Sequence, residues 1–319
     1  MSRFLIHFLV IIFLAVNIYS QTPRTANDFN DRGLERSARG DHDGAIADFT
    51  QAIELTSRLS PKQLSLAGKF APGQGSQVSQ VSAEDFLMLE SIRVIDPRTA
   101  IAHVNRGNAY FAKSELDSAI VDFNRALSIS PAFVEAYVAR GTAWLVKKDL
   151  ERAIGDYEKA MKLDPKFAKA YAGRGMARLD KGEFRAALED FNYAVKLEPK
   201  NAQMYYHRGD SRRVTRDDIG ALADFEFAIK LAPRLPAPYL GRGTMLFYKR
   251  EYDAALKDFT TALELDGRCA EAYKNRGYVY FALGKTSEAE IDLERALNLA
   301  PRFQAEIESN LKIMRSWKR

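Results

Sequence analysis

Most of the chain is patterned for helices, because its apolar residues recur at spacings of three and four and so fall on one helical face. Between Ala153 and Leu163 the apolar positions are 153, 154, 157, 160, 161 and 163. A second helical stretch, from Glu135 to about Val146, comes before it. Pro165 follows, and proline cannot continue a helical hydrogen-bond ladder. The pattern predicts two successive helices joined by a turn.

This pair of segments recurs with a fixed period. The dipeptide Arg-Gly occurs six times at intervals of 34 residues, with the glycines at 107, 141, 175, 209, 243 and 277. A seventh copy, at Gly33, lies upstream and out of this register. Alanine stands 12 and 19 residues after each glycine, and aspartate 15 after. One helix pair cannot bury its own apolar face, so the period predicts a stack of repeats.

Further columns carry a family resemblance. An aromatic residue stands four before the glycine in six copies, another follows the aspartate in six, and proline lies 24 after in five. The order resembles that of the tetratricopeptide repeat family. The resemblance implies an all-α fold, a right-handed superhelical solenoid of antiparallel helix pairs, continuous along the array. The matching units are 26–59, 100–133, 134–167, 168–201, 202–235, 236–269 and 270–303.

One column departs from the family pattern. The residue before the glycine, commonly leucine in the family, is arginine in every copy. That arginine lies on the first helix and the repeated aspartate on the second. We hypothesise a bidentate Arg–Asp pair that joins helices, either within one unit or between neighbouring units. The alternative is that each is a separate solvated charge.

The array is interrupted between its first unit, residues 21–59, and its six consecutive units, residues 100–303. Counting 34 back from Pro131 reaches Pro97, so residues 66–99 are interpreted as a degraded repeat in register. Gly and Pro near 71–75 predict a flexible loop near 60–80, and the following apolar pattern predicts a helix near 82–95. Two alternatives stay open: a plain linker, or a loop that gates the concave surface.

The two ends of the chain differ from the repeats. Residues 304–319 continue an apolar stripe and predict a basic capping helix over the last repeat, which could also contact an acidic partner or anionic lipid. Residues 1–20 contain a short positive region and an apolar run, the pattern of a secretory signal peptide. The alternative is an uncleaved membrane anchor over residues 4–19. The predicted location is periplasmic or secreted.

Composition narrows the function. The chain of 319 residues is 46% hydrophobic, which supports a folded core, and its net charge of +5 is too small for a nucleic-acid footprint. One cysteine and four distant histidines offer no disulfide and no metal-ligand spacing. No catalytic motif or phosphate-binding loop occurs. We therefore predict a non-enzymatic protein without a cofactor or metal.

The resemblance implies a binding site on the first helices, which line the concave face. Amides there would bond a peptide backbone and aromatics would anchor it. The leading prediction is a scaffold that binds a protein or extended peptide; the alternatives are a glycan- or lipid-associated factor of the cell envelope and an accessory subunit of an envelope complex. The predicted groove residues are Asn105, Asn108, Phe111, Tyr206, His207, Asp210, Arg213, Phe247, Tyr248, Lys274, Asn275 and Tyr278.

Overall fold

The structure is a computed structural model, and it describes residues 23, 25–57 and 97–317. Over these residues the chain forms fifteen α-helices and one short 3-10 helix, with no β-strand. The prediction of an all-α fold built from paired helices is confirmed. The predicted signal peptide, the loop near 60–80 and the helix near 82–95 lie outside the described residues.

The first fourteen helices form seven pairs, one for each Arg-Gly unit. In chain order these are α1 Ala26–Ala38, α2 His42–Ser57, α3 Pro97–Ala112, α4 Leu116–Ile129, α5 Val134–Val146, α6 Leu150–Leu163, α7 Ala168–Asp180, α8 Phe184–Leu197, α9 Ala202–Val214, α10 Asp218–Leu231, α11 Pro236–Tyr248, α12 Tyr252–Leu265, α13 Ala270–Ala282 and α14 Thr286–Leu299. A 3-10 turn, Pro301–Phe303, leads into α15, Gln304–Trp317.

The chain divides into two compact units, Met1–Leu163 and Asp164–Arg319. The boundary falls in the turn after α6, so every helix pair lies whole within one unit. The first unit contains α1–α6 and the second contains α7–α15. None of the helices in the described ranges has the length and apolar character needed to cross a membrane.

Each pair is held close at its glycine. A Cβ placed on Gly107 of α3 would lie 2.6 Å from Cε1 of Phe123 on α4, a distance that real side chains do not adopt. Phe123 is fully buried, and Ala119 and Ala126 on the same helix are fully buried beside it. The repeated glycine, alanine and aromatic columns are therefore the positions where the two helix axes approach most closely.

The turn within each pair has one residue with a positive φ, seven positions after the repeat glycine. All seven φ values lie between 62° and 82°. This left-handed conformation ends the first helix and favours glycine. Glycine occupies the position in three repeats and an L-residue with a side chain in four: Gly40, Gly182 and Gly284, against Ser114, Lys148, Arg216 and Arg250.

The first repeat packs directly on the second, although 39 residues separate α2 from α3. Ala109 of α3 lies in one buried cluster with Ala45 and Phe49 of α2. Across the same contact, Arg106 Nη1 donates to Thr50 Oγ1 at 3.0 Å. The stacking order thus differs from the expected one, in which a degraded repeat over 66–99 would separate these helices. Residues 58–96 are an insertion between repeats that are neighbours in space.

Candidate protein-binding groove and its charge framework

An Arg–Asp ion pair joins the two helices of every repeat. In each, Nε donates to one carboxylate oxygen at 2.7–3.1 Å and Nη2 to the other at 2.5–2.9 Å. The hypothesised bidentate pair is confirmed, and it lies within the unit. The seven pairs are Arg32–Asp48, Arg106–Asp122, Arg140–Asp156, Arg174–Asp190, Arg208–Asp224, Arg242–Asp258 and Arg276–Asp292.

The third nitrogen of the guanidinium reaches the preceding repeat in at least three cases. Nη1 of Arg140 donates to Asn124 Oδ1 at 2.6 Å, and Nη1 of Arg276 donates to Thr260 Oγ1 at 3.2 Å. The contact between Arg106 and Thr50 is the third. All three acceptors stand 17 residues after the glycine of the preceding repeat. One arginine therefore contacts both helices of its own pair and the second helix of its neighbour.

The aspartates of these pairs are kept ionised by their partners. Burial alone would raise the pKa of Asp122, but hydrogen bonds from Arg106 and His103, together with their charges, bring its pKa below the usual range. His103 Nδ1 lies 2.8 Å from Asp122 Oδ1 and occupies the column that is aromatic elsewhere. These charges belong to the framework between helices, which leaves other side chains to line a binding surface.

A cavity of about 470 Å³ opens in the second unit between α9, α11, α13 and α15. Eight of the nine groove residues predicted for this unit line it; the ninth, His207, does not. The eight come from three successive first helices: Tyr206, Asp210 and Arg213 from α9, Phe247 and Tyr248 from α11, and Lys274, Asn275 and Tyr278 from α13. We call this cavity the groove pocket.

Two ion pairs lie inside the groove pocket. Arg213 donates from Nε and Nη2 to one oxygen of Asp210 at 2.9 and 2.7 Å, and the charge of Asp210 raises the arginine pKa although burial opposes the shift. Lys274 Nζ lies 2.7 Å from a carboxylate oxygen of Glu306 on α15. The lysine is buried, with Nζ 4.4 Å from the centre of the Phe303 ring.

Amide and hydroxyl groups extend the polar lining. Asn275 Nδ2 donates to Thr244 Oγ1 at 3.1 Å, which links α13 to α11. Asn310 Nδ2 of α15 donates to the phenol oxygen of Tyr278 at 3.1 Å. Each of these groups keeps a free lone pair or N–H with which it can bond a ligand.

Aromatic rings form the apolar part of the lining. Burial raises the pKa of both Tyr206 and Tyr278 to about 12, so both phenols are neutral hydrogen-bond donors at physiological pH. Tyr248 differs from them, because 71% of it is exposed. Its ring lies 5.8 Å from that of Phe247. An exposed tyrosine of this kind offers a large contact area at little entropic cost.

The remaining predicted residues lie elsewhere. His207 stacks on Phe191, with ring centres 5.6 Å apart, and burial lowers its pKa below the ordinary value. Asn105, Asn108 and Phe111 all lie on α3 in the first unit. Asn105 Nδ2 donates to Asn30 Oδ1 at 2.8 Å, Asn108 is exposed and Phe111 is half-buried. Whether any of the twelve binds a partner stays a prediction.

Sequence reasoning missed several lining residues. Glu306, Asn310 and Ile313 come from α15, which we expected only to cover the last repeat. Continuing the 34-residue count beyond Gly277 would have placed α15 as a further first helix. Glu271 was also missed, although it stands six residues before its glycine in the same column as Glu135 of α5.

Helix pairs stacked through their glycine and alanine columns, with a pocket on their first helices, define a class: the helical-repeat scaffolds. The chain belongs to the tetratricopeptide repeat family. Profiles of the tetratricopeptide repeat match residues 100–133, 134–167, 173–236 and 240–302, which is more than half of the chain. Membership supports a scaffold for protein–protein interaction.

Solved structures show the same fold at low sequence identity. A tetratricopeptide repeat protein from Parabacteroides merdae is 16% identical with a TM-score of 0.61, and the match covers 91% of this chain and 98% of that one. A chain of the APC/C hetero-tetramer Cut9–Hcn1 is 18% identical with a TM-score of 0.63, covering 90% and 55%. Pseudomonas aeruginosa pilF gives 20%, 0.55, 65% and 97%. No curated protein matches the sequence.

Proposed function

We propose that the protein is an exported, non-catalytic scaffold that binds an extended segment of a partner protein in the groove pocket. The observation that carries the proposal is the convergence of eight predicted groove residues from three repeats on one cavity of about 470 Å³. That volume is in the range of sites that enclose several side-chain-sized groups.

The lining supports an extended peptide as the ligand. Asn275, Asn310 and Thr244 offer amide and hydroxyl groups that can bond a peptide backbone, which carries one donor and one acceptor per residue. Tyr248 supplies an exposed ring as an anchor for a side chain. The mixture of amides and rings follows the first helices, so the segment would lie across successive repeats.

Export rests on the first twenty residues, where Arg3 precedes an apolar run that ends in a small residue at Ser20. Amino-terminal sequencing of the protein recovered from the cells that produce it tests this part alone. A start near Gln21 supports a cleaved signal peptide, and a retained Met1 contradicts it.

Groove binding is tested by affinity capture from an extract of the producing cells, using the full chain with a carboxyl-terminal tag. The variant is Tyr248→Ser, which removes an exposed ring and spares the buried tyrosines. The matched control is Tyr193→Ser, which removes a ring that is 46% exposed on the second helix α8, outside the groove pocket. We expect Tyr248→Ser to lose a partner that both the unchanged protein and the control recover. Equal recovery by all three proteins would contradict the groove as the binding site.

A further inference from the structure

The groove pocket has an unbalanced set of charges. Five ionisable side chains of fixed charge line it: Asp210, Arg213, Glu271, Lys274 and Glu306. Arg213 pairs with Asp210, and Lys274 pairs with Glu306. Glu271 makes no salt bridge with any residue that the structure describes. The lining therefore carries one negative charge that no neighbouring cation neutralises.

Both cations of the pocket are already satisfied, which disfavours an anionic ligand. The Lys274 side chain is only 8% exposed, and its ammonium group contacts both Glu306 and the Phe303 ring. Arg213 directs two nitrogens to Asp210. A ligand carboxylate would have to displace one of these partners, and a separated partly buried ion is costly. His207 adds no positive charge nearby, since burial favours its neutral form.

The free carboxylate stands among aromatic rings. Glu271 is close enough to Tyr206 for its charge to favour the neutral phenol. Tyr248 projects into the same pocket and is largely exposed. A carboxylate and the faces of tyrosine rings both attract a cation, and a guanidinium group can pair with one while stacking on the other.

We propose that the groove pocket recognises a lysine or arginine side chain of the bound segment, with Glu271 as its counter-ion and the ring of Tyr248 as its stacking surface. This inference rests on the proposed function, because it names the chemistry of the ligand at that site. The alkyl stem of the basic residue would lie along the rings while its charged end meets the carboxylate.

The test measures binding of fluorescein-labelled dodecapeptide pools to the full chain by fluorescence anisotropy. All positions are degenerate except a central one, which is fixed as arginine, lysine, citrulline, leucine or glutamate. Citrulline keeps the shape of arginine and removes its charge. We expect the arginine and lysine pools to bind about tenfold more tightly than the citrulline pool, the gain of one ion pair combined with a cation–π contact.

Three variants assign that preference to its source. Glu271→Gln should abolish the difference between arginine and citrulline, and Glu271→Arg should turn the preference towards the glutamate pool. Glu271 lies in the first turn of α13, where a negative charge also stabilises the helix start. Glu135→Gln removes the equivalent charge from the first turn of α5, outside the pocket, and should keep the preference for basic pools.

The outcomes separate this inference from the proposed function. Pools that bind regardless of central charge, yet lose binding in Tyr248→Ser, overturn the basic preference and leave groove binding standing. Preferential binding of the glutamate pool overturns the inference in the same way. If no pool binds, or if a basic preference survives Glu271→Gln, the inference fails, and the affinity capture described above decides the proposed function on its own.

Discussion

Arg242 donates from Nε and Nη2 to the two carboxylate oxygens of Asp258, at 2.8 Å each, across the interior of a single helix pair. The Asp258 side chain is 5% exposed and that of Arg242 is 26% exposed. Removing two charges from water offsets much of their attraction. The pair therefore fixes the register of the two helices more than it adds net stability.

Asp258→Ala should lower the free energy of unfolding by about 3 kcal/mol, because it strands a partly buried guanidinium without its acceptor. The double change Arg242→Met with Asp258→Leu should recover more than half of that loss, since no uncompensated charge remains. Urea unfolding followed by circular dichroism measures both. Asp117→Ala, which breaks the exposed pair with Lys147, is the control and should change little. A double variant as unstable as the single one would show that the pair is a net stabiliser.

Two glycines of the first unit should respond oppositely to alanine. Gly107→Ala places a methyl group 2.6 Å from the Phe123 ring and should destabilise by about 1–3 kcal/mol, because the helices must separate. Gly155 lies within α6 with nothing within 4 Å of its would-be Cβ. Gly155→Ala should stabilise by about 0.5–1 kcal/mol through the lower entropy of the unfolded chain. Thermal unfolding compares them, and two changes of the same sign would contradict the packing role of Gly107.

Tyr157 should make the protein sensitive to alkaline pH. Burial raises its pKa to about 12 from an ordinary 10, although a hydrogen bond with Thr142 opposes the shift. Below pH 10 both folded and unfolded states keep the proton, so the stabilising contribution is complete. Between pH 10 and 12 only the unfolded state ionises, and about 3 kcal/mol is lost by the upper end.

Tyr157→Phe isolates this effect, because phenylalanine occupies the same column in five other repeats. At pH 8 the variant should be about 1 kcal/mol less stable than the unchanged protein, having lost the hydrogen bond with Thr142. Approaching pH 12 it should become the more stable of the two. Urea titrations of both proteins across this range give the difference, in which all other ionisations cancel. A difference that does not vary with pH would refute the assignment.

The direct packing of α2 on α3 predicts that residues 58–96 can be shortened. Replacing residues 56–99 with the four-residue turn of residues 164–167 should keep the helical circular dichroism and the unfolding midpoint of the first unit. Shortening a loop changes its closure entropy only slightly. The same replacement combined with Arg106→Ala and Thr50→Ala should lower the midpoint, because it removes the contact between repeats. Loss of helix in the simple replacement would contradict direct packing.

How far the sequence could predict the molecule depended on the range of each interaction. The Arg–Asp spacing was readable because both residues lie in one repeat, and seven copies report the same local geometry. The neighbour of α3 was not readable, because counting residues measures distance along the chain whereas stacking depends on which surfaces match. Pro97 kept the 34-residue register although no repeat separates α2 from α3, and the structure instead begins α3 at Pro97, where proline fits a first helical turn.

The groove pocket was predictable on the sides that belong to repeats. Tyr206, Tyr248 and Lys274 stand in columns that face the groove by analogy with one another. Glu306 and Asn310 come from a helix with no second helix after it, so the full set of repeat columns that identified the other first helices is missing there. Their contacts with Lys274 and Tyr278 required coordinates.

The third nitrogen of the repeat arginine gives the array a direction. When the repeat containing Thr50 unravels, Arg106 of the next repeat loses an acceptor in a partly buried place. When the repeat containing Arg106 unravels, Thr50 loses only a donor that water replaces. The same asymmetry holds between Asn124 and Arg140 and between Thr260 and Arg276. Within each compact unit, fraying should therefore propagate more readily from the amino-terminal side of a junction than from its carboxyl-terminal side.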